Sequence, residues 1–266
     1  MSERLAHAKI NLALVVGPLR SDGKHEVTTV LQRIGLADRI RLGPGEKLAV
    51  EGFEDDTLVR GALEELATEA GIEPAWRVEI GKEIPVAAGL GGGSSDAAAA
   101  LALANATLER PVAARRLREL AAGLGADVPF FLADGPQLGE GDGTALTQLE
   151  LPQTFTVLVF VPEGESKAST AGVYADFDAR GGWVGYEERR CRLLQALATR
   201  DLAGLPPNDL AESRHAEKLR QLGAFRADVS GAGPGVYGLF RDAPSAGAAG
   251  SEIEGLGRVW IGPPAW

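Results

Sequence analysis

Residues 85–95 read Pro85-Val86-Ala87-Ala88-Gly89-Leu90-Gly91-Gly92-Gly93-Ser94-Ser95 and run directly into an alanine-rich stretch, Asp96 to Leu108. Four of the five residues from Gly89 to Gly93 are glycine, so the backbone can turn sharply and approach a bulky anion without Cβ clashes. The alanine-rich stretch predicts a helix, and its first turn carries unpaired N–H groups and the positive end of the helix dipole. With the hydroxyls of Ser94 and Ser95 added, this is a phosphate cradle. It is not a Walker A loop, because no Gly-Lys-Ser/Thr follows. Nor is it a dinucleotide fingerprint, which needs an acidic residue at the end of a second parallel strand about 20 residues on. The bland alternative is a flexible linker with a serine cap, but a linker has no need of glycines set against a strong helix former.

Toward the N-terminus, Ala8 to Val16 predicts a strand in which Lys9 and Asn11 share a face. Ser21-Asp22-Gly23-Lys24-His25 is a turn, and Glu26 to Ile34 a second strand. Arg39–Leu42 and Lys47–Val50 read as a short hairpin around Gly43-Pro44-Gly45. Leu58 to Ala70 has helical spacing, and Arg77 to Ile80 is a short strand. Beyond the glycine loop, helices are predicted over Ala113–Leu124, Tyr186–Ala198 and Ser213–Leu222, and a strand over Thr156–Val161. Ala227–Phe240 reads as strand, glycine turn, strand. The tail after Phe240 is rich in Gly, Pro, Ala and Ser and carries little signal. Strands and helices mix without strict alternation, which predicts an α+β chain rather than a doubly wound sheet.

Three further places carry chemistry. In Gly125-Ala126-Asp127-Val128-Pro129-Phe130-Phe131, Asp127 reads first as a helix N-cap with Pro just inside. A carboxylate there can also take a proton from a substrate hydroxyl. Lys9 alone would be a lysine snorkelling at a strand end; near Asp127 it would keep that carboxylate ionised and stabilise a transferring phosphoryl group. His25 is an ordinary turn residue unless a ligand lies beside it. Ser230-Gly231-Ala232-Gly233-Pro234-Gly235 is either a hairpin or a second glycine loop closing over a ligand, and Asn208-Asp209 reads as a helix cap.

The chain has 266 residues, 45% of them hydrophobic and 24% charged, enough for two modest domains. A net charge of −10 argues against nucleic acid or an anionic membrane as partner. The single cysteine, Cys191, excludes an intramolecular disulfide and a cysteine metal cluster. Met1 to Ile10 has no apolar core of a signal peptide, and the most apolar run, Phe155 to Val161, is too short to span a bilayer. A cytoplasmic location is the expectation.

Taken in order, Ala8-Lys9-Ile10-Asn11-Leu12, Asp22-Gly23-Lys24-His25, Pro85 to Ser95 with Asp96-Ala97-Ala98, and Gly125 to Phe131 resemble the galactokinase–homoserine kinase–mevalonate kinase–phosphomevalonate kinase (GHMP) superfamily. Asn208-Asp209-Leu210 and Ser230-Gly231-Ala232-Gly233 add to the resemblance, which runs from Ala8 to about Phe240. The motifs fit best the branch whose members phosphorylate the 2-hydroxyl of 4-diphosphocytidyl-2-C-methyl-D-erythritol, an isoprenoid precursor of the non-mevalonate route. The resemblance implies a two-domain α+β fold, with an N-terminal domain like ribosomal protein S5 domain 2 and a ferredoxin-like C-terminal domain. The active site is expected in the cleft between them. Residues 1–150 would carry the phosphate loop and the catalytic pair, and 151–266 would complete the cleft.

By matching position, Asp127 resembles the catalytic base and Lys9 its charged partner. Pro85 to Ser95 resembles the ATP phosphate loop, and Lys82 a position near the adenine. Asn11 and His25 resemble substrate-side positions, with His25 at the cytosine edge. ATP with Mg²⁺ is the implied cofactor pair. The chain departs from the family pattern at Lys24 and Leu31, where aromatic residues are usual, and at Asp56-Thr57-Leu58, Ala232 and Pro234. A lost stacking ring costs about 1–3 kcal/mol per base, and Tyr174 or Phe177 are the candidates to replace it. Two other readings stand beside this one: a superfamily kinase for another small alcohol, and a nucleotide-binding relative without catalysis.

Overall fold

The apolar run that predicts a strand over Ala8–Val16 belongs to a much longer one. β1 spans Ser2–Leu19 and β2 spans His25–Pro44. From Ile10 to Gly17 every residue of β1 is buried, as in a strand covered on both faces. The computed structural model describes residues 1–54, 56–164 and 169–266. β3 (Ala49–Glu51), α1 (Leu58–Ala70) and β4 (Trp76–Gly81) follow, then α2 (Gly92–Asn105), α3 (Ala114–Leu124) and a 3-10 helix at Pro129–Leu132. Next come β5 (Gln137–Gly141), β6 (Ala145–Gln148), β7 (Thr156–Pro162), α4 (Thr170–Ala179), α5 (Tyr186–Ala198) and α6 (Arg214–Gln221). β8 (Arg226–Val229), β9 (Val236–Phe240), α7 (Ala243–Ser251) and β10 (Gly257–Gly262) complete the order. The α+β expectation holds.

The chain divides into two compact units, each assembled from separated segments. The first takes Met1–Ala8, Leu36–Val86 and Gly91–Asp134; the second takes Lys9–Gly35, Ala87–Leu90 and Gly135–Trp266. A boundary at residue 150 follows the chain, whereas these units follow packing, and the second draws on both sides of that boundary.

In the first unit, the end of β2 pairs antiparallel with β4, from Arg39↔Gly81 to Pro44↔Trp76. β3 pairs parallel with the other edge of β4, from Ala49↔Arg77 to Glu51↔Glu79, with α1 as the crossover. The hairpin expected from Arg39–Leu42 and Lys47–Val50 is therefore not formed, because β4 inserts between those segments. The reason lies at Gly45, whose N–H donates to Ala75 O at 2.9 Å, so the turn anchors on the start of β4. α1 buries Val59, Ala62, Leu63, Leu66 and Ala67 and packs on α2. α2 is buried on nearly every side, which its alanines permit because they let neighbours approach closely. Asp56 caps α1 by accepting from the N–H groups of Val59 and Arg60.

In the second unit, the start of β2 pairs with β5, from Val27↔Gly141 to Leu31↔Gln137, and β5 turns back into β6. A separate antiparallel sheet runs β10-β7-β9-β8. The tail that carries little sequence signal is thus structural: α7 packs against this sheet and β10 forms its edge on β7. Leu158, Phe160, Leu219, Val236, Phe240 and Ile253 are part of one core there. Residues after β10 also pair with β2, through an Ile34↔Pro264 bridge and the bond from Ala265 N–H to Arg33 O at 3.0 Å. Among the described residues no helix is long and apolar enough to cross a membrane.

Ile253 tests the tail. Its side chain is buried in the core of the second unit, so Ile253→Ala should cost about 2–5 kcal/mol, read as a lower urea midpoint at unchanged slope. A shift below about 0.5 kcal/mol would show that the tail contributes little to the core.

Candidate functional site

The glycine loop and the helix after it divide differently from the sequence expectation. α2 begins at Gly92, not Asp96, and ends at Asn105, so Gly92, Gly93, Ser94 and Ser95 form its opening turn. Gly91 makes this possible: its φ of 70° steers the chain into the helix, and its carbonyl accepts the first helical bond, from Ser95 N–H at 2.9 Å. Pro85 to Leu90 remain outside the helix, with Val86 exposed and Ala88 and Leu90 buried. Ala87 adopts a φ of 58°, a conformation that costs a residue with a Cβ about 1–2 kcal/mol.

Three successive carbonyls of this loop are taken within the second unit, to which Ala87–Leu90 belong. Ala88 O accepts from Gly235 N–H at 3.0 Å, and Leu90 O accepts from Lys9 N–H at 2.9 Å. Between them, Gly89 O accepts from the Ser230 hydroxyl at 2.9 Å. Gly89 has a φ of 78°, and a Cβ there would collide with Ser230 O. The 230–235 turn is therefore a second glycine loop set against the first. Asn208 and Asp209 are not a helix cap. Asn208 Nδ2 donates to Val229 O at 3.0 Å and Gly231 O at 2.7 Å, holding that second loop, and Asp209 Oδ2 accepts from Val16 N–H and from Arg189 Nε.

Lys9 and Asn11 do share a face. The Lys9 ammonium donates to Asn11 Oδ1 at 2.7 Å, and Asn11 Nδ2 donates to Thr29 Oγ1 at 2.9 Å. Lys9 is only 4% exposed, and a buried ammonium needs anionic or strongly polar company. In the first unit, Asp127 is half-buried in the turn before the 3-10 helix. That helix runs Pro129–Leu132 with Val128 immediately before it.

Lys82 lies at the exit of β4 and joins two carboxylates, donating to Asp38 Oδ2 at 2.5 Å and to Asp96 Oδ2 at 2.8 Å. The Lys82 ammonium is 5.5 Å from the Phe53 ring centroid. Burial alone would lower the Lys82 pKa, but Asp96 and Asp38 outweigh it and raise it. Asp96 is pushed up to about 7, first by burial and then by the neighbouring Asp38 carboxylate, against the pull of Lys82. Its Oδ1 is buried without a hydrogen-bond partner.

His25, in the second unit, places Nε2 2.9 Å from Asp178 Oδ1. Its ring stacks on Tyr174 at 4.9 Å between centroids and meets the edge of Phe177 at 5.9 Å. Lys24 turns to Asp142 instead, at 2.6 Å. Leu31, where the family pattern has an aromatic residue, is buried in β2 as core.

The GHMP kinases N terminal domain family matches residues 57–135. A 4-diphosphocytidyl-2-C-methyl-D-erythritol kinase of Pelotomaculum thermopropionicum is 39% identical, over 91% of this chain and 90% of the relative. This chain belongs to that GHMP kinase family. A relative of the same name from Streptomyces avermitilis is 38% identical over 92% of the chain and 90% of its own length. A crystal structure of 4-(cytidine 5'-diphospho)-2C-methyl-D-erythritol kinase superposes with a TM-score of 0.82 at 32% identity, covering 100% of both chains.

Several residues of this kinase that hold the candidate residues escape sequence reading: Asp38 beside Lys82, Asn208 as a bracket, and Asp178 beside His25. Asp38 leaves one trace, a lone carboxylate in Leu36-Ala37-Asp38-Arg39-Ile40, within an otherwise strand-like run. A buried carboxylate in such a run must have partners elsewhere, but the sequence does not say where.

Two measurements test this geometry. Gly89→Ala should displace the loop from Ser230 and weaken ATP binding by at least about tenfold, or roughly 1.4 kcal/mol, in calorimetric titration; unchanged affinity would mean the loop's shape is not needed. For Asp96, a native pKa above the unfolded value of about 3.9 means that ionisation costs stability. That cost begins as pH rises past the unfolded value and is full above about 7. Asp96→Asn should therefore gain in melting temperature relative to the wild type between about pH 5 and about pH 8.5. A difference that stays constant over that range would contradict the raised pKa.

Proposed function

We propose that this kinase transfers the γ-phosphoryl group of ATP to the 2-hydroxyl of 4-diphosphocytidyl-2-C-methyl-D-erythritol, with Asp127 as base and Lys9 as its cationic partner. The observation that carries the reading is the bond from Lys9 N–H to Leu90 O. It fixes the residue bearing the ammonium directly to the glycine loop, while Asn11 Oδ1 directs the ammonium itself. Phosphoryl transfer asks mainly for positioning and charge stabilisation, and those are what this arrangement supplies.

In this reading, the loop from Pro85 to Leu90 and the first turn of α2, with Ser94 and Ser95, hold the triphosphate. Asp127 accepts the proton of the acceptor hydroxyl as its oxygen bonds to the γ-phosphorus, and the bond to the β-phosphate oxygen breaks to release ADP. Lys9 offsets the negative charge on the transferring group. Among the described residues no three His, Cys, Asp or Glu side chains gather into a metal site. Mg²⁺ would arrive with the nucleotide, since this ion keeps several waters and takes one or two protein oxygens. The Ser94 hydroxyl is the loop oxygen that would hold it, and the ion would neutralise charge on the β- and γ-oxygens.

On the acceptor side, Asn11 and His25 meet the substrate, with His25 at the cytosine edge. Tyr174, already stacked on His25, supplies the ring that Lys24 does not. The acidic balance of the chain fits small-molecule partners rather than nucleic acid.

The test is ADP release with ATP, Mg²⁺ and the cytidylated alcohol, with and without the alcohol. Acceptor-dependent release should fall by about 10²–10⁴-fold in Asp127→Ala, while ATP affinity in calorimetric titration stays within about threefold of the wild type. Normal turnover by that variant would remove Asp127 from the mechanism. Release that ignores the alcohol would point to a different acceptor.

A further inference from the structure

The glycine loop leaves the first unit after Val86, just beyond Ile84, and returns to it at Gly91, so its shape depends on how those two ends are held. Both ends meet one buried cluster. Asp38, on β2, is fully buried, and its Oδ1 accepts from the N–H groups of Glu83 at 2.6 Å and Ile84 at 2.8 Å. Its Oδ2 accepts from the Lys82 ammonium, and that ammonium reaches across to Asp96 in the second turn of α2. Gly92, the first residue of α2, faces this cluster, since a Cβ there would lie 3.1 Å from Ile84 Cγ2 and 3.3 Å from Lys82 Nζ. The departing chain and the returning helix are thus tied by a carboxylate–ammonium–carboxylate strap.

We infer that Asp38 is a positioning residue for nucleotide binding, and that Lys82 acts on the nucleotide through this strap rather than by donating to it. The inference rests on the reading of the Gly89–Ser95 loop as the ATP phosphate site. Lys82 is 16% exposed at its side chain, and its ammonium is committed to two carboxylates at hydrogen-bond distance. An ammonium held this way has lost most of its value as a phosphate ligand, because its charge is already offset. Its value lies in fixing where α2 begins, and so where the N–H groups of that first turn point. A side chain that fixes the geometry of donors can control affinity without touching the ligand.

The strap predicts a selective defect. Asp38→Asn keeps an acceptor oxygen for the two backbone N–H groups but removes the charge that holds Lys82. It should raise KM for ATP about tenfold or more and weaken ATP binding in calorimetric titration to match. At saturating ATP, kcat should stay within about threefold and KM for the acceptor should not change. Because Asp38 is fully buried, a second variant is measured beside it. Lys82→Met with Asp96→Asn removes one positive and one negative charge together, keeps Asp38 on its two N–H groups, and cuts the strap to α2. It should show the same rise in KM for ATP with the acceptor KM unchanged.

Thermal melts establish which of the two variants fold, and either one suffices. A folded variant that binds ATP within about twofold of the wild type overturns the strap's role. So does one that loses kcat and acceptor affinity in parallel with ATP affinity. Failure of the wild-type protein to bind ATP would instead overturn the reading of the loop itself, and the two failures are distinct in the same titration.

Discussion

A segment proposed to offer its N–H groups to an anion cannot use those groups to hold its own shape. Something else must fix it. Here the fixing is done through carbonyls: Ala88, Gly89 and Leu90 each accept one hydrogen bond, from Gly235, Ser230 and Lys9 in turn. The donors come from two distant parts of the chain, and each is itself restrained. Lys9 lies in the buried β1, Ser230 and Gly235 bracket a turn, and that turn is held by Asn208. Three such bonds, each contributing about 0.5–1.5 kcal/mol net, restrain a glycine run whose backbone would otherwise be free to wander.

The loop also brings its cost with it. Glycine and positive φ are required where the two loops touch, and at Gly89 a side chain would meet Ser230 O. Ala87 holds a left-handed conformation without the licence of glycine. Strain of this kind persists only where the surroundings over-determine the backbone, and the carbonyl bonds to its neighbours Ala88 and Gly89 supply that. The Lys82 cluster has a similar character. Its two carboxylates and one ammonium are buried together, which raises the Asp96 pKa and leaves one of its oxygens unpartnered. Buried ionic groups are weak contributors to net stability, so their effect here lies in orientation.

How much of this could be read beforehand depends on distance along the chain. α1 and α5 fall where periodicity places them, Leu58–Ala70 and Tyr186–Ala198, because each carries its own apolar stripe. The hairpin expected near Gly45 does not form because β3 finds its partner in β4, across an intervening helix, and no local pattern announces a parallel partner. α7 has the sequence Ala-Pro-Ser-Ala-Gly-Ala-Ala-Gly-Ser, whose small residues give no stripe, yet small residues are what let it lie close on a sheet. Of the residues proposed to act on the substrates, the glycine loop, Lys9, Asn11 and Asp127 are legible as motifs. Asp38, Asn208 and Asp178 act through bonds to residues far off in sequence, and single polar residues carry no address.

The pairing of the second sheet has a consequence for how the chain comes into being. β7 is laid down by residue 162, but its two neighbours are β9, completed at residue 240, and β10, completed at residue 262. The middle of β2 likewise waits for Pro264 and Ala265. As the ribosome delivers the chain from its N-terminus, the first unit has all its segments by Asp134, whereas β7 emerges with both edges bare. During synthesis the two units therefore face unequal hazards: the first can close early, and the second must keep an apolar strand from wandering partners until translation is nearly done.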